Sequence, residues 1–248
     1  MAFSSSADHS LFISDIHLCE QRPDISQAFV EFCTHQATKA SHLYILGDLC
    51  DAWLGDDDNS PLAELLQQQL IMLSERGVKV FIMVGNRDFL MGNEFSKACN
   101  CELLPDPSVI KLYDRSILLM HGDSMCTADK EYMSFREMIR DPVMQQTLLN
   151  KPLSERRAIA TMLREKSRSA NATKAEDIMD VTASEVTKAF DQHGVDVLIH
   201  GHTHRPAVHH VQSTDEKKLT RYVLGDWDSK GWYIKAQQNQ ISLHSFEF

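Results

Sequence analysis

Short apolar runs recur along the chain, and each ends in a polar cluster. They are LFIS before Asp15, LYIL before Gly47, VFIMV before Gly85, ILLM before His121 and VLI before His200. Runs of four or five residues rich in Ile, Leu and Val read as strands buried on both faces. Helical spacing lies between them. Ile25 to His35 carries apolar residues at Ala28, Phe29 and Phe32, and Pro61 to Arg76 opens on Ser60 as a cap and closes at Gly77. Alternating strand and helix predicts an α/β core.

After Met120 the pattern changes. From about Ala128 to His193 strand signal is scarce, and helices are expected at Lys130–Arg140, Val143–Leu149, Leu153–Arg168 and Ala175–His193, broken at Pro142 and Pro152. This reads as a helical insertion over a site. Beyond Pro206 come AVHHV, RYVL, WYIKA and ISLHSF, expected as antiparallel strands completing a second sheet. A chain of 248 residues is ample for one sizeable core, so one domain over 1–248 with an insertion at about 128–193 is the expected organisation.

Composition narrows the function. The formal net charge of -10 disfavours unassisted binding to nucleic acid, which rests on clustered Lys and Arg. Lys151 to Lys174 runs the other way, with seven Lys or Arg against two Glu. A basic stretch on an acidic chain suits an anionic ligand or an anionic membrane surface, with Lys151, Arg156 and Arg157 as its candidate rim. The six cysteines show no CxxC spacing and read as reduced thiols. No secretory signal is visible, and no apolar run approaches the roughly 20 residues of a membrane span. A protein that is soluble or bound to a membrane surface is expected.

The polar clusters are DIH (Asp15 to His17), GDLCD (Gly47 to Asp51), GNRD (Gly85 to Asp88), HGD (His121 to Asp123) and GHTH (Gly201 to His204). Each alone reads more readily as a tight turn, or as a surface or core residue, than as a ligand. All of them follow strands, and loops at the carboxyl ends of strands in α/β sheets converge on one site. Glycine within them fits close backbone approach to a ligand. Mixed imidazole and carboxylate donors suit Mn, Fe, Co, Ni or Zn.

The order DxH, GDxxD, GNxD, H and GHxH, from Leu11 to about His204, resembles the calcineurin-like metallophosphoesterase family. The resemblance implies a two-sheet β-sandwich flanked by helices, here with a helical cap. It implies that Asp15, His17 and His204 hold one divalent cation, that Asn86, His121 and His202 hold a second, and that Asp48 bridges both. Two such cations clamp attacking and leaving oxygens and lower the pKa of bound water toward about 7.

Where many family members have His, this chain has Arg87. Arg cannot give up a proton at working pH, but it can contact phosphate bidentately. The alternative is that Arg87 only pairs with its neighbour Asp88. A site with Arg for the acid suits a pyrophosphate, whose phosphate leaving group has a second pKa near about 6 and departs unaided. His121, His209 and water remain alternative donors.

Longer segments carry a closer resemblance. GDLCDAWLGDD, GNRDFLMG, HGDSMCTAD, IHGHTHRPAVH and SANATKAEDIMDV (Ser169 to Val181) are similar to the branch of the family that cleaves UDP-2,3-diacylglucosamine to UMP and the diacyl sugar 1-phosphate, lipid X, in lipid A biosynthesis. That resemblance implies manganese as the metal and the cytoplasmic face of the inner membrane as the place of action. It implies Asn86, Arg87, Asp129, Arg164, Ser167, Asn171, Lys174 and His202 as product-binding positions, with Tyr132 a weaker one, and Asp48, Asn86 and Arg87 as catalytic. No nucleic acid and no obligate protein partner are implied. The apolar stripes Met133, Phe135, Met138, Ile139 and Val143, Met144, Leu148, Leu149 suit either core packing or an acyl slot. Two rivals stay open. One is a phosphatase or phosphodiesterase acting on soluble nucleotides or phosphoproteins. The other is a binding scaffold on the same fold without catalysis, which would bind no stoichiometric metal.

Overall fold

The computed structural model describes residues 9–171, 178–212 and 218–248, and at 170, 171 and 212 the backbone only. β1 (Ser10–Ile13), β2 (His42–Leu46), β3 (Lys79–Met83) and β4 (Glu102–Leu104) run parallel in one sheet. Neighbouring residues of these strands face opposite sides, and both sides are covered. Leu11 and Ile13 meet Phe29 and Phe32 of α1 (Pro23–His35), while Phe12 meets Leu119 and Ile199 of the second sheet. That is why the strands read as unbroken apolar runs rather than alternating ones.

α2 (Pro61–Glu75) joins α1 on the outer face. It starts where Ser60 Oγ accepts the Ala63 N–H at 3.3 Å, and Ala63, Leu66, Leu70 and Leu73 are its buried stripe. The short α3 (Asn93–Ala98), the strand β4 and β5 (Ser108–Leu112) were not apparent from periodicity.

The second sheet has the order β5, β6 (Arg115–Leu119), β7 (Val197–His200), β9 (Lys218–Val223), β8 (Ala207–Gln212). It departs from the expectation for the C-terminal strands. β8 and β9 pair antiparallel, but β9 runs parallel to β7. β10 (Lys230–Gln237) and β11 (Gln240–Glu247) leave this sheet altogether, and β10 pairs antiparallel with β1. The reason is the edge of β1, whose four residues are all buried. Without β10 its outward N–H and C=O groups would be unpaired inside the protein.

The helical block between β6 and β7 divides in two. α4 (Lys130–Arg140), α5 (Pro142–Leu149) and α6 (Leu153–Asn171) lie beside the ends of β2 and β3. α7 (Ala183–His193) instead covers the outer face of the second sheet, burying Val186, Ala189 and Phe190 against Leu118 and Leu198. It starts at Ala183; of the expected earlier start, 175–177 lie outside the described residues and 178–182 are not helical. Just before it, Thr182 gives its N–H to Met125 O at 2.8 Å, so the chain there is bonded to the loop after β6 rather than to a helical turn of its own. Among the described residues no helix is long and apolar enough to cross a membrane.

Candidate metal centre and substrate slot

The carboxyl ends of β1, β2, β3, β6 and β7 deliver Asp15, His17, Asp48, Asn86, His121, His202 and His204 to one edge of the sandwich. Five of these seven have positive φ: Asp15 at 53°, His17 at 54°, Asp48 at 52°, His202 at 68° and His204 at 54°. The left-handed region costs a side-chain-bearing residue roughly 1–2 kcal/mol. Such strain is held by surrounding bonds and gathers at functional sites. Here Asp15 N–H donates to Gly47 O and His17 N–H to Asp48 O, both at 3.0 Å, and Gly201 N–H donates to His121 O at 2.9 Å.

Two glycines are required by closeness. A β-carbon at Gly85 would overlap Asp48 Oδ1, and one at Gly201 would overlap Asp15 Oδ2. The close approach expected of glycine is therefore to the carboxylates of the site itself.

The donors fall into two groups, Asp15 with His17 and His204, and Asp48 with His121 and His202, the ligand atoms of each lying within 4.8 Å of one another. Asn86 Oδ1 lies 3.1 Å from His121 Nε2 and joins the second group. His17 Nε2 and His204 Nε2 are 3.2 Å apart, and Asp15 Oδ1 is buried with no hydrogen-bond partner. A buried carboxylate oxygen without a hydrogen bond, its near neighbour His204 Nε2 at 3.5 Å, is what a cation would satisfy. The residues fit the implied metals.

The electrostatics of His17 and His202 agree with that fit. Burial, with the His204 charge, holds His17 down at about 3, and burial, with His121, holds His202 at about 3. Both stay neutral, the form that ligates metal. Burial pushes the Asp48 carboxyl up to about 7, and nearby Asp88 and Asp15 add to the rise. Burial works against a charged His121, but Asp48, Asp123 and Asp15 outweigh it and lift the imidazole to about 9.

Asp88 has a role that sequence reasoning missed. It is fully buried and accepts the N–H groups of Gly85 at 2.6 Å, Leu49 at 2.8 Å and Asp48 at 3.3 Å. It ties the Asp48 loop to the Asn86 loop, so its carboxylate is taken by backbone. Arg87 does not pair with it. Arg87 gives its own N–H to Asp48 Oδ1 at 2.8 Å and points its side chain toward α6. The signal was present as the fourth letter of GNRD, but an acid after Gly-Asn reads as a ligand or a partner before it reads as a backbone brace.

Beside the metal groups lies a cavity of about 420 Å³. Asn86, Arg87, Arg164 and Ser167 stand at its polar side, with Tyr132, Phe135, Met138, Leu148 and Leu163 among its apolar walls. The two expected apolar stripes thus divide. Phe135, Met138 and Leu148 line the cavity, Ile139 is core at 1% exposure, and Val143 faces outward at 74%. Trp53, Leu54, Phe89 and Leu90 complete the walls from loops that periodicity did not single out.

Of the other expected contacts, Asp129 caps α4 by accepting the Tyr132 N–H at 3.0 Å. Arg164 pairs with Asp51 at 2.5 Å. His202 lies beside the Tyr132 ring, with centroids 5.2 Å apart and the planes tilted by 41°. His209 is exposed on β8 and lines a different cavity. The side chain of Asn171 and the whole of Lys174 lie outside the described residues. Arg156 is not on a basic rim. It is 4% exposed, paired with Asp57 and bonded to Leu54 O, because its helix face turns inward against the loop after β2.

The sequence profile of the calcineurin-like phosphoesterases matches residues 9–206, and the chain belongs to that family. Within it, the chain is 47% identical over 238 residues to a protein of Pseudomonas fluorescens named UDP-2,3-diacylglucosamine hydrolase, covering 96% of each chain. It is 46% identical to one of the same name from Cellvibrio japonicus, over 96% of this chain and 99% of that one. A third, from Pseudomonas syringae, is 48% identical over 96% of both.

Proposed function

We propose that the protein hydrolyses the pyrophosphate bond of UDP-2,3-diacylglucosamine, giving UMP and 2,3-diacylglucosamine 1-phosphate in lipid A biosynthesis. The observation that carries this reading is the apolar cavity that opens on Asn86 and Arg87 at the edge of the metal groups. A soluble nucleotide or a phosphoprotein would not use such a slot, and a scaffold without catalysis would not need two clustered donor groups.

In this reading Asp15, His17 and His204 hold one divalent cation and Asn86, His121 and His202 another, with Asp48 between them; manganese is the metal. When bound, the cations supply Lewis acidity and an activated water at neutral pH. The residues of the chain do the rest. Arg87 and Ser167 hold the sugar phosphate, Arg164, Asn171 and Lys174 extend that hold along the cap, and the slot between α4 and α6 takes acyl chain. Water adds to the phosphorus of the nucleotide half. The bond from that phosphorus to the bridging oxygen breaks, and the bridging oxygen leaves with the sugar phosphate. The Arg87 guanidinium offsets the charge that builds there, so no proton donor is needed. The enzyme works at the cytoplasmic face of the inner membrane as a peripheral protein, the cap facing the lipid.

Turnover of UDP-diacylglucosamine in heavy-oxygen water, with mass analysis of both products, tests the reading. Label is expected in UMP and absent from the sugar phosphate. Label in the sugar phosphate would reverse the two sides of the site, and faster turnover of plain aryl phosphates would replace the substrate. Metal analysis of the purified protein should find about two cations per chain, and reactivation of the stripped enzyme should be best with manganese.

A further inference from the structure

Helix α4 presents two functional stripes. Phe135 and Met138 wall the slot. Tyr132, Arg136 and Arg140, four residues apart and therefore on one face, turn toward the loops that carry the metal donors. Their common target is Asp123, fully buried two residues after His121. The Tyr132 hydroxyl donates to Asp123 Oδ2 at 3.2 Å, Arg136 Nε lies 3.0 Å from the same oxygen and Arg140 Nη2 lies 3.6 Å from it. Arg140 Nη2 also donates to Val84 O at 3.0 Å, two residues before Asn86. One guanidinium thus touches the chain beside two different donors of the second metal group. Tyr132 belongs to both stripes: its ring lines the slot and lies 5.2 Å from the His202 ring, while its hydroxyl holds Asp123.

We infer that Tyr132, Arg136 and Arg140 are positioning residues that register the slot-bearing helix to the loops of His121 and Asn86, so that filling the slot speeds the chemical step and does not only tighten binding. The Tyr132 hydrogen bond and the two guanidiniums gathered at one buried carboxylate oxygen tie this face of the helix to the loop after His121. Acyl chain in the slot bears on Phe135 and Met138, and the same helix sets the two loops. Binding energy from a remote part of the substrate then appears in turnover. This inference rests on the proposed substrate, and the metal arm of its test does not.

The test is Arg140→Gln, compared with wild type as the manganese-loaded enzyme on UDP-diacylglucosamine and on UDP-glucosamine, which lacks acyl chains. Calorimetric titration of the stripped proteins with manganese runs beside it. With the diacyl substrate, kcat is expected to fall about tenfold or more while KM moves less than about threefold. The ratio of kcat between the two substrates should shrink. Manganese affinity should fall by roughly tenfold, as for other groups that orient ligands. Arg140→Lys, which keeps the charge, should recover part of kcat. A rise in KM with kcat unchanged would overturn the inference, since the stripe would then only shape the slot. An equal loss of kcat on both substrates would overturn it too. If Arg140→Gln does not fold, Tyr132→Phe keeps the ring and removes only the bond to Asp123, and the same split in kcat is required of it. If wild type does not cleave the diacyl substrate, the proposed function fails. A drop in manganese affinity would still support the positioning role, and an unchanged affinity would overturn that as well.

Discussion

Arg87 on the loop after β3 reaches Ser167 Oγ on α6 at 3.4 Å, spanning 80 residues of sequence. Its neighbour Asp88 turns the opposite way and is used up by three backbone N–H groups. The guanidinium is therefore left to face the cavity, and two consecutive residues serve opposite sides of one loop.

From this arrangement Arg87→His is expected to be a loss, although His is the commoner residue of the family. Losing a charge-assisted contact to phosphate costs about 1.5–3 kcal/mol, roughly a 10–150-fold drop in kcat/KM on the pyrophosphate substrate. Steady-state kinetics decide it. Equal specificity constants would make Arg87 structural.

Asp48→Ala should abolish turnover and remove at least one cation, exceeding the roughly 10–100-fold that substitution of outer partners costs. The fold should survive, because Asp88 still braces the two loops with three backbone hydrogen bonds after the single Arg87 N–H bond to Asp48 Oδ1 is lost. Metal analysis with circular dichroism reads both parts. Full metal content with near wild-type activity would count against the bridging role.

Arg156→Met should lower stability by about 1.5–3 kcal/mol through lost charged hydrogen bonds, a fall in Tm of roughly 4–10 °C. The pair adds a pH dependence. The Arg156 contact holds the Asp57 carboxyl below its usual 3.8. Its contribution is therefore complete above that value and is lost as pH falls through the lowered one. The Tm gap between wild type and variant should narrow from pH 7 toward about pH 3, and the acid-sensitive part should be modest because Asp57 is 60% exposed. Thermal melts across pH measure it, and a widening gap in acid would contradict the pairing.

Met138 and Leu149 come from the expected apolar stripes, but only Met138 lines the cavity. Met138 is 41% exposed and would be covered by bound acyl chain, so Met138→Asp should raise KM as acyl length grows, by about tenfold for long chains. Leu149→Asp should change KM little at any length. Kinetics over an acyl series separate them, and equal effects would remove the slot from acyl binding.

Membrane attachment through the cap would rest on charges that face outward. Arg157 is exposed, while Lys151 is paired with Glu155 at 3.1 Å. Arg157→Gln should weaken binding to anionic vesicles by about fivefold, from about 1 kcal/mol per juxtamembrane charge. Lys151→Gln should do less. Sedimentation with vesicles gives the answer, and unchanged binding would leave the basic stretch to the substrate alone.

The convergence of the candidate metal donors was legible in the sequence because each comes after an apolar run that must be buried on both faces, and strand ends in such sheets converge. α2 was legible for a similar local reason, since its cap, its stripe and its stop all lie within one stretch from Ser60 to Gly77. Features set by local period and local turn chemistry are written along the chain. The tertiary structure alone decided where β10 and β11 went, because an open edge at β1, more than two hundred residues away, needed a partner. It alone made Arg156 an interior residue, since Asp57 and Leu54 O meet its side chain only once α6 has docked. It also built the slot, whose walls come from the loops after β2 and β3, from α4, and from α5 and α6. Each of these depends on which distant faces and unpaired groups meet, and periodicity along one segment carries no information about that.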